Sequence, residues 1–286
     1  LNQAKKSLVF EKKSIPSFSQ LVFSWNAFRP KSGHFSFFVQ IQDSKTKTWS
    51  SWCKMMGWGH KMQRSYYGKQ QGGSRYVYVR LEAEKKNLVN AFRIKINAQN
   101  GAKLDLLRGF SVCASDFNKF KSEKITQKIF NLPSVYIKGV PKKSQMLLDH
   151  PRANHMCSPT SCSMLTSFLS KRMVDPLAFA QKAFDNGLNT YGSWPFNIAH
   201  AFERCRGRYF FSTTRFSSFE NMHKQLSRGI PVVVSVRGFL QGAPKTYSKG
   251  HLLVVVGWDS KKGQVICHDP ALETDRKTVK RYNIRS

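Results

Sequence analysis

Three residues in the second half of the chain have the types and spacing of a thiol nucleophile with its base and orienting acid: Cys157, His251 and Asp269. Cys157 lies in His155-Met-Cys-Ser-Pro-Thr-Ser-Cys-Ser-Met-Leu-Thr-Ser-Phe-Leu169. Ser158 is a good N-cap and Pro159 suits the first helical position, so a helix is expected directly after Cys157. Met164, Leu165, Phe168 and Leu169 fall at helical spacing and are expected on its buried face. The Cys157 sulfur then sits beside the positive end of a helix dipole, where a thiolate is stabilised. A helix start alone does not make a nucleophile, because a small packed Cys is the commoner use of such a position.

Gly250-His251-Leu-Leu-Val-Val-Val-Gly257 and Gln264-Val-Ile-Cys-His-Asp-Pro-Ala271 read as two strands of a hairpin that turns at Gly263. Near-symmetry about residue 260 puts His251 at the start of one strand and Asp269 just past the end of the next, so the two side chains can lie at neighbouring strand ends. Directly opposed Cβ atoms in such a pair are about 4.5 to 5.5 Å apart. In that arrangement His251 takes the thiol proton and returns it to a leaving amine, while Asp269 fixes the imidazole tautomer. The chemistry also needs donors for a developing oxyanion. The backbone N–H of Cys157 is one candidate. The side-chain amide of Gln145 is another, although a loop Gln taken alone reads as a solvated surface residue.

Other reactive types compete for these roles. Cys162 and Cys267 read as small core residues, and His268 points to the face opposite Asp269 if its strand continues. His155 is a candidate wall of the substrate site, as is Ser158. Trp194 and Phe239 are candidate rims of a cleft, with ordinary loop anchoring as the alternative. Cys157, His251, His268 and Asp269 lack the close pairs of a zinc site, so neither a metal nor another cofactor is expected.

The elements that must position these residues fall into two groups. Runs at 21–28, 35–42, 75–82, 91–97 and 106–113 read as short strands, broken at 29–33, at Gln71-Gly72-Gly73-Ser74 and at Asn100-Gly101. Their spacing suits an antiparallel β-sandwich or jelly roll. Trp49, Trp52 and Trp58 fall among them, either as a sugar-stacking platform or, more commonly for Trp, as packing. A polar, Lys-rich stretch over 115–138 reads as a linker, giving a β-sandwich domain over 1–128 and a second domain over 129–286. In the latter, helical patterns at 159–171, 176–186, 197–205 and 218–228 precede strands at 231–236, 252–257 and 264–267. That order indicates an α+β fold with an antiparallel sheet.

The chain has 286 residues, 47 Lys and Arg against 16 Asp and Glu, and a formal charge of +31. Such a charge attracts acidic partners and polyanions. It is spread over both halves, and no RNP motif, zinc spacing or basic coiled coil occurs, so specific nucleic-acid recognition is not expected. The longest apolar run, 251–258, is far short of the roughly 20 residues of a membrane span. The chain starts at Leu1, so a leader removed before it, and export from the cell, are expected. The six Cys form no CxxC pair or dense framework, so structural disulfides are not expected.

Four blocks together resemble the bacterial peptidases related to bacteriocin-processing, double-glycine leader cysteine peptidases. They are Val140-Pro141 with Ser144-Gln145-Met146, Cys157-Ser-Pro-Thr-Ser161, Gly250-His251 with Val254-Val-Val-Gly257, and Asp269-Pro-Ala271 with Asp275 beyond. The resemblance spans about 138–286. It implies a papain-like fold with Cys157 as nucleophile, His251 as base, Asp269 as its orienting acid and Gln145 in the oxyanion hole. Members of this form also carry a β-rich domain ahead of the peptidase. Ser158 departs from the Gly more usual after the Cys, and no ATP-binding or membrane region accompanies the domain, so a double-glycine leader substrate is not implied. The expected function is hydrolysis of peptide or isopeptide bonds through an acyl-enzyme, and the same residues would serve acyl transfer. The expected partner is a peptide or protein, favoured if acidic. The rival is a catalytically idle adhesin whose first domain grips a glycan, an anionic surface or an acidic partner.

Overall fold

The structure is a computed structural model that describes residues 6–69, 74–77, 79–83, 89–119, 121 and 125–284. Its strands and helices divide into two compact units, Leu1–Lys121 with Phe184–Arg215, and Ser122–Ala183 with Phe216–Ser286.

In the first unit, alternating apolar residues build two five-stranded sheets. One has the order β1 (Ser7–Lys12), β9 (Val89–Gln99), β3 (His34–Asp43), β4 (Cys53–Gly59), β5 (Gln63–Ser65). The other runs β10 (Leu107–Ser115), β2 (Gln20–Ala27), β8 (Arg80–Ala83), β7 (Ser74–Val77), β6 (Gly68–Lys69). Neighbouring strands in both are antiparallel. Side chains from both sheets, among them Phe23, Trp25, Phe35, Phe37 and Trp58, share one hydrophobic core. The strand expectations change in two ways. The stretch 75–82 is a hairpin of β7 and β8, not one strand, with Arg75 paired opposite Glu82. β1, β4, β5 and β6 were not anticipated. The turn expected at Gln71-Gly72-Gly73 lies outside the described residues.

Phe184–Arg215, expected in the second domain, belongs to the first unit. The reason is hydrogen bonding that no local pattern announces. Along β2, Asn26 exchanges two bonds of 2.8 Å with the backbone of Phe211, and Ser24 Oγ accepts from Thr213 N–H at 3.1 Å. Asp185 is fully buried and accepts from Ser65 N–H at 2.8 Å and from the Ser193 hydroxyl at 2.5 Å. The helix Trp194–Arg204 places Phe196 edge-on to Trp25, with ring centroids 5.8 Å apart.

In the second unit the sheet order is β11 (Val135–Tyr136), β13 (Tyr247–Asp259), β14 (Gln264–His268), β15 (Val279–Asn283), with β12 (Val232–Gly238) also paired to β13. The helices Cys157–Ser170, Pro176–Ala183 and Phe219–Ser227 accompany it. The core gathers Met164, Leu226, Leu253, Val254, Val255, Val256 and Ile266. β15 was not anticipated, because its sequence Val-Lys-Arg-Tyr-Asn is mostly polar. Among the described residues, no helix is long and apolar enough to cross a membrane.

Candidate active site

The helix that carries Cys157 begins two residues earlier than its capping signals suggest. It spans Cys157–Ser170, its N-cap is Met156, and Cys157 is the first helical residue. Ser158 and Pro159 are therefore its second and third residues. Pro is tolerated there because the first four N–H groups of a helix have no partner within it. Ser158 Oγ is buried without a hydrogen-bond partner, so Ser158 does not cap the helix.

The buried face of this helix also differs from expectation. Met164 is buried, but Leu165, Phe168 and Leu169 are only partly so, and the rest of the buried set is Ser158, Pro159, Thr160, Ser161, Ser163, Thr166, Ser167 and Ser170. Small hydroxyl side chains allow the helix to lie close to β13, and most are satisfied locally. Ser163, Thr166 and Ser167 donate to carbonyls three or four residues back, at 2.7 to 2.8 Å. Ser161 instead donates to the carbonyl of Leu252 at 3.1 Å. That bond joins the helix, four residues beyond Cys157, to the strand one residue beyond His251.

His251 and Asp269 are buried side by side. His251 Nε2 lies 2.7 Å from Asp269 Oδ1, with His251 4% exposed and Asp269 fully enclosed. They lie at neighbouring strand ends without being directly opposed. The register pairs Val254 with His268 and Val255 with Cys267 and slips before Gly257. Continued past His268, it makes Asp269 a diagonal neighbour of His251 on the same face, which a ring and a carboxylate can bridge.

The Cys157 side chain also acts on the imidazole, favouring its protonated form. With Nε2 on Asp269, Nδ1 is the nitrogen left for the sulfur. Burial pulls the His251 pKa down, but hydrogen bonds to Asp269 and Cys157 and the charges of both outweigh it, raising it to about 9. Burial pushes Asp269 up, while His251, the Tyr282 hydroxyl and the Ala271 N–H hold it below the ordinary carboxylate value. An imidazole that keeps its proton at neutral pH beside a thiol is the arrangement a thiolate nucleophile requires.

Gln145 is buried, not solvated, at 2% exposure. Its N–H donates to the Pro270 carbonyl at 2.8 Å and its side-chain amide to the Ala153 carbonyl at 2.9 Å. Asp275 accepts from Ser144 N–H at 2.7 Å and pairs with Lys143 at 3.3 Å, tying this loop to the segment after Asp269. The amide has a second N–H, and the Cys157 N–H stands at the helix start; these are two donors of the kind an oxyanion needs.

The competing residues separate clearly. Burial pushes the Cys162 thiol up to about 12, and it raises that of Cys267 further. His268 Nδ1 lies 2.9 Å from the Pro141 carbonyl, and burial lowers its pKa. It is fixed away from Asp269. His155 is exposed, two residues before Cys157. Trp194, expected at a cleft rim, belongs to the first unit and packs against its core, because the helix it opens carries Phe196 and Ala199 into that core. Phe239 is 67% exposed. Trp58 is a core residue, whereas Trp49 and Trp52 are half-buried, with Arg93 3.9 Å and Lys95 4.4 Å from their rings. Among the described residues, no three His, Cys, Asp or Glu side chains are grouped to hold a metal ion.

Two residues around Asp269 escaped the sequence reading, Tyr247 and Tyr282. Their hydroxyls donate to Asp269 Oδ2 at 2.8 and 2.6 Å. In sequence each reads as an ordinary strand aromatic, and only the Tyr type, a ring with a polar tip, hints at a buried acceptor.

Comparison with known proteins gives one match. The sequence model of the Peptidase_C39 like family matches residues 137–286. No curated protein and no solved structure matches the chain.

Proposed function

The chain belongs to the Peptidase_C39-like family, and from that premise we propose that it is a cysteine peptidase cleaving peptide or isopeptide bonds through an acyl-enzyme. Cys157 is the nucleophile, His251 the proton carrier and Asp269 its orienting acid. The observation that carries this reading is the buried His251, bound at 2.7 Å to Asp269 and held protonated by that carboxylate together with the side chain of a helix-start cysteine. In the forward step the thiolate adds to the carbonyl carbon, and charge develops on an oxygen that the Cys157 N–H and the Gln145 amide can meet. The imidazolium then protonates the leaving amine, and water, deprotonated by His251, resolves the thioester. An amine in place of that water would make the same site an acyltransferase.

His155, Ser158 and Phe239 are proposed as flanking residues on the substrate side. A charge of +31 favours an acidic substrate. The first unit we read as a β-sandwich accessory domain. Its half-buried Trp49 and Trp52, each beside a cation, are where contact with an anionic glycan would be sought.

Labelling with a thiol-directed epoxide, followed by peptide mapping, tests the enzyme reading. Modification of Cys157 alone at neutral pH, lost in His251→Ala, supports it. Equal modification of Cys157 and the half-buried Cys113 overturns it. Peptide-library profiling of the wild type against Cys157→Ala then defines the substrate.

A further inference from the structure

A triad requires one bond from its carboxylate, to the imidazole; Asp269 makes four. Oδ1 accepts from His251 and from the Ala271 N–H at 2.9 Å, while Oδ2 accepts from the Tyr247 and Tyr282 hydroxyls. Both tyrosines are buried, at 3% and 4% exposure. Tyr247 makes a second contact: its ring stacks on that of His251, with centroids 4.1 Å apart and planes 17° from parallel.

This stack is unusual for residues four apart in one strand, which ordinary extension would separate by about 13 Å. The chain between them is bulged. β12 pairs Val236 with His251 but Gly238 with Tyr247, so three residues of β13 bulge out against one of β12. Gly250, with φ at +87°, takes the left-handed turn this needs. The Gly before His251 is thereby explained by the placement of a ring four residues earlier. Tyr282 comes from β15, paired with β14 through Val265, so the last strand closes the far side of the same carboxylate.

We propose that Tyr247 and Tyr282 are positioning residues of the thiol–imidazole pair: the two phenols saturate the outer oxygen of Asp269, and the Tyr247 ring fixes the plane of His251. The proposal rests on the triad reading above. A buried carboxylate without other donors would compete strongly for the imidazole proton. Two phenols on Oδ2 spread its charge, so Asp269 orients His251 without removing that proton. The stacked ring has a separate effect. Exchanging Nδ1 and Nε2 requires the imidazole to turn through the perpendicular, and the Tyr247 ring occupies that path, so Nε2 stays on Asp269 and Nδ1 is the nitrogen left to serve the thiol. The titratable groups facing His251 are Cys157 from the helix, Asp269 beyond β14, and Tyr247 on its own strand. From β12 the paired residue is Val236, and His268 of β14 is turned to Pro141.

The test uses the full chain with Tyr247→Phe, Tyr282→Phe, Tyr247→Leu and Asp269→Asn. Three readouts are followed against pH: kcat/KM on a cleaved peptide, the rate of Cys157 alkylation by iodoacetamide, and the NMR titration of the His251 imidazole. Loss of one charge-assisted bond is expected to lower kcat/KM roughly tenfold in each Phe variant. Removing a phenol leaves Asp269 more basic, so the His251 titration and the alkaline limb of alkylation move to higher pH; in Asp269→Asn they move to lower pH. Tyr247→Leu, which also loses the ring, falls further than Tyr247→Phe. Phe variants whose imidazole titrates as in the wild type overturn the proposal, even if their thermal stability drops. Should the wild type cleave no peptide while alkylation and NMR shift as described, the peptidase reading fails and the positioning role stands.

Discussion

The two units bury different things at the same depth. In the first, the most enclosed large side chains are rings: Trp25 stacks on Phe37 with centroids 4.1 Å apart and lies edge-on to Trp58 at 6.0 Å. The indole N–H groups of both tryptophans lack partners, and the core is otherwise apolar. In the second unit the most enclosed groups near β13 include Asp269 and His251. A ring cluster is stabilised by area removed from water, and many residues of similar volume would serve. A buried carboxylate must have its charge met atom by atom. The aromatic core of the first unit therefore constrains size, whereas the surroundings of Asp269 constrain identity at five positions: Tyr247, His251, Asp269, Tyr282 and the Gly250 that brings the first two together.

Substitutions sharpen that contrast. The largest effect is expected from Cys157→Ala, which should lower kcat/KM by roughly 10⁴-fold or more while the melting temperature stays put, as read by steady-state kinetics beside calorimetry. The opposite profile is expected for Trp25→Ala. It should cost about 3 to 5 kcal/mol in denaturant unfolding of the first unit, with Cys157 alkylation unaltered. Slower alkylation of Cys157 in that variant would break the comparison.

A pH effect comes next in size. His251 holds its proton to about 9 in the folded chain against an ordinary value of 6.5. Its contribution to stability is thus complete below the unfolded value and is lost as pH rises through about 9. Asp269, held low, contributes above the ordinary carboxylate value and loses that contribution as pH falls through its folded value. Melting curves should accordingly decline on the alkaline side in the wild type and flatten there in His251→Gln. The smallest change is expected at an exposed pair: Glu273→Gln, which removes the surface contact with Lys277, should shift unfolding by well under about 1 kcal/mol.

Much of this was legible before any coordinates. The helix start at Cys157 follows from Ser-Pro after the cysteine, to within two residues. The hairpin follows from two apolar runs about Gly263, and the pairing of His251 with Asp269 from their places at its ends. What misled was the assumption of plain geometry. Hairpin symmetry brings His251 and Asp269 to neighbouring strand ends, but does not record the slip before Gly257 that makes them diagonal. Helical spacing puts Met164, Leu165, Phe168 and Leu169 inward, whereas of these only Met164 is fully buried and most of the enclosed residues of Cys157–Ser170 are Ser and Thr. Gln145 read as surface, since its burial depends on Pro270 and Ala153.

By itself the sequence determined which side chains can supply a thiol, a base and an acid, and which local elements carry them, because helix starts and strand alternation are written in residues a few positions apart. Only the tertiary structure decided that residues 184–215 build the first unit, that a bulge at Gly250 stacks Tyr247 on His251, and that Tyr282 reaches Asp269 from the last strand. Each of these depends on strand register and on hydrogen-bond partners that are distant in sequence. A one-residue slip moves a side chain to the other face of its sheet, and no short-range pattern records which register is adopted.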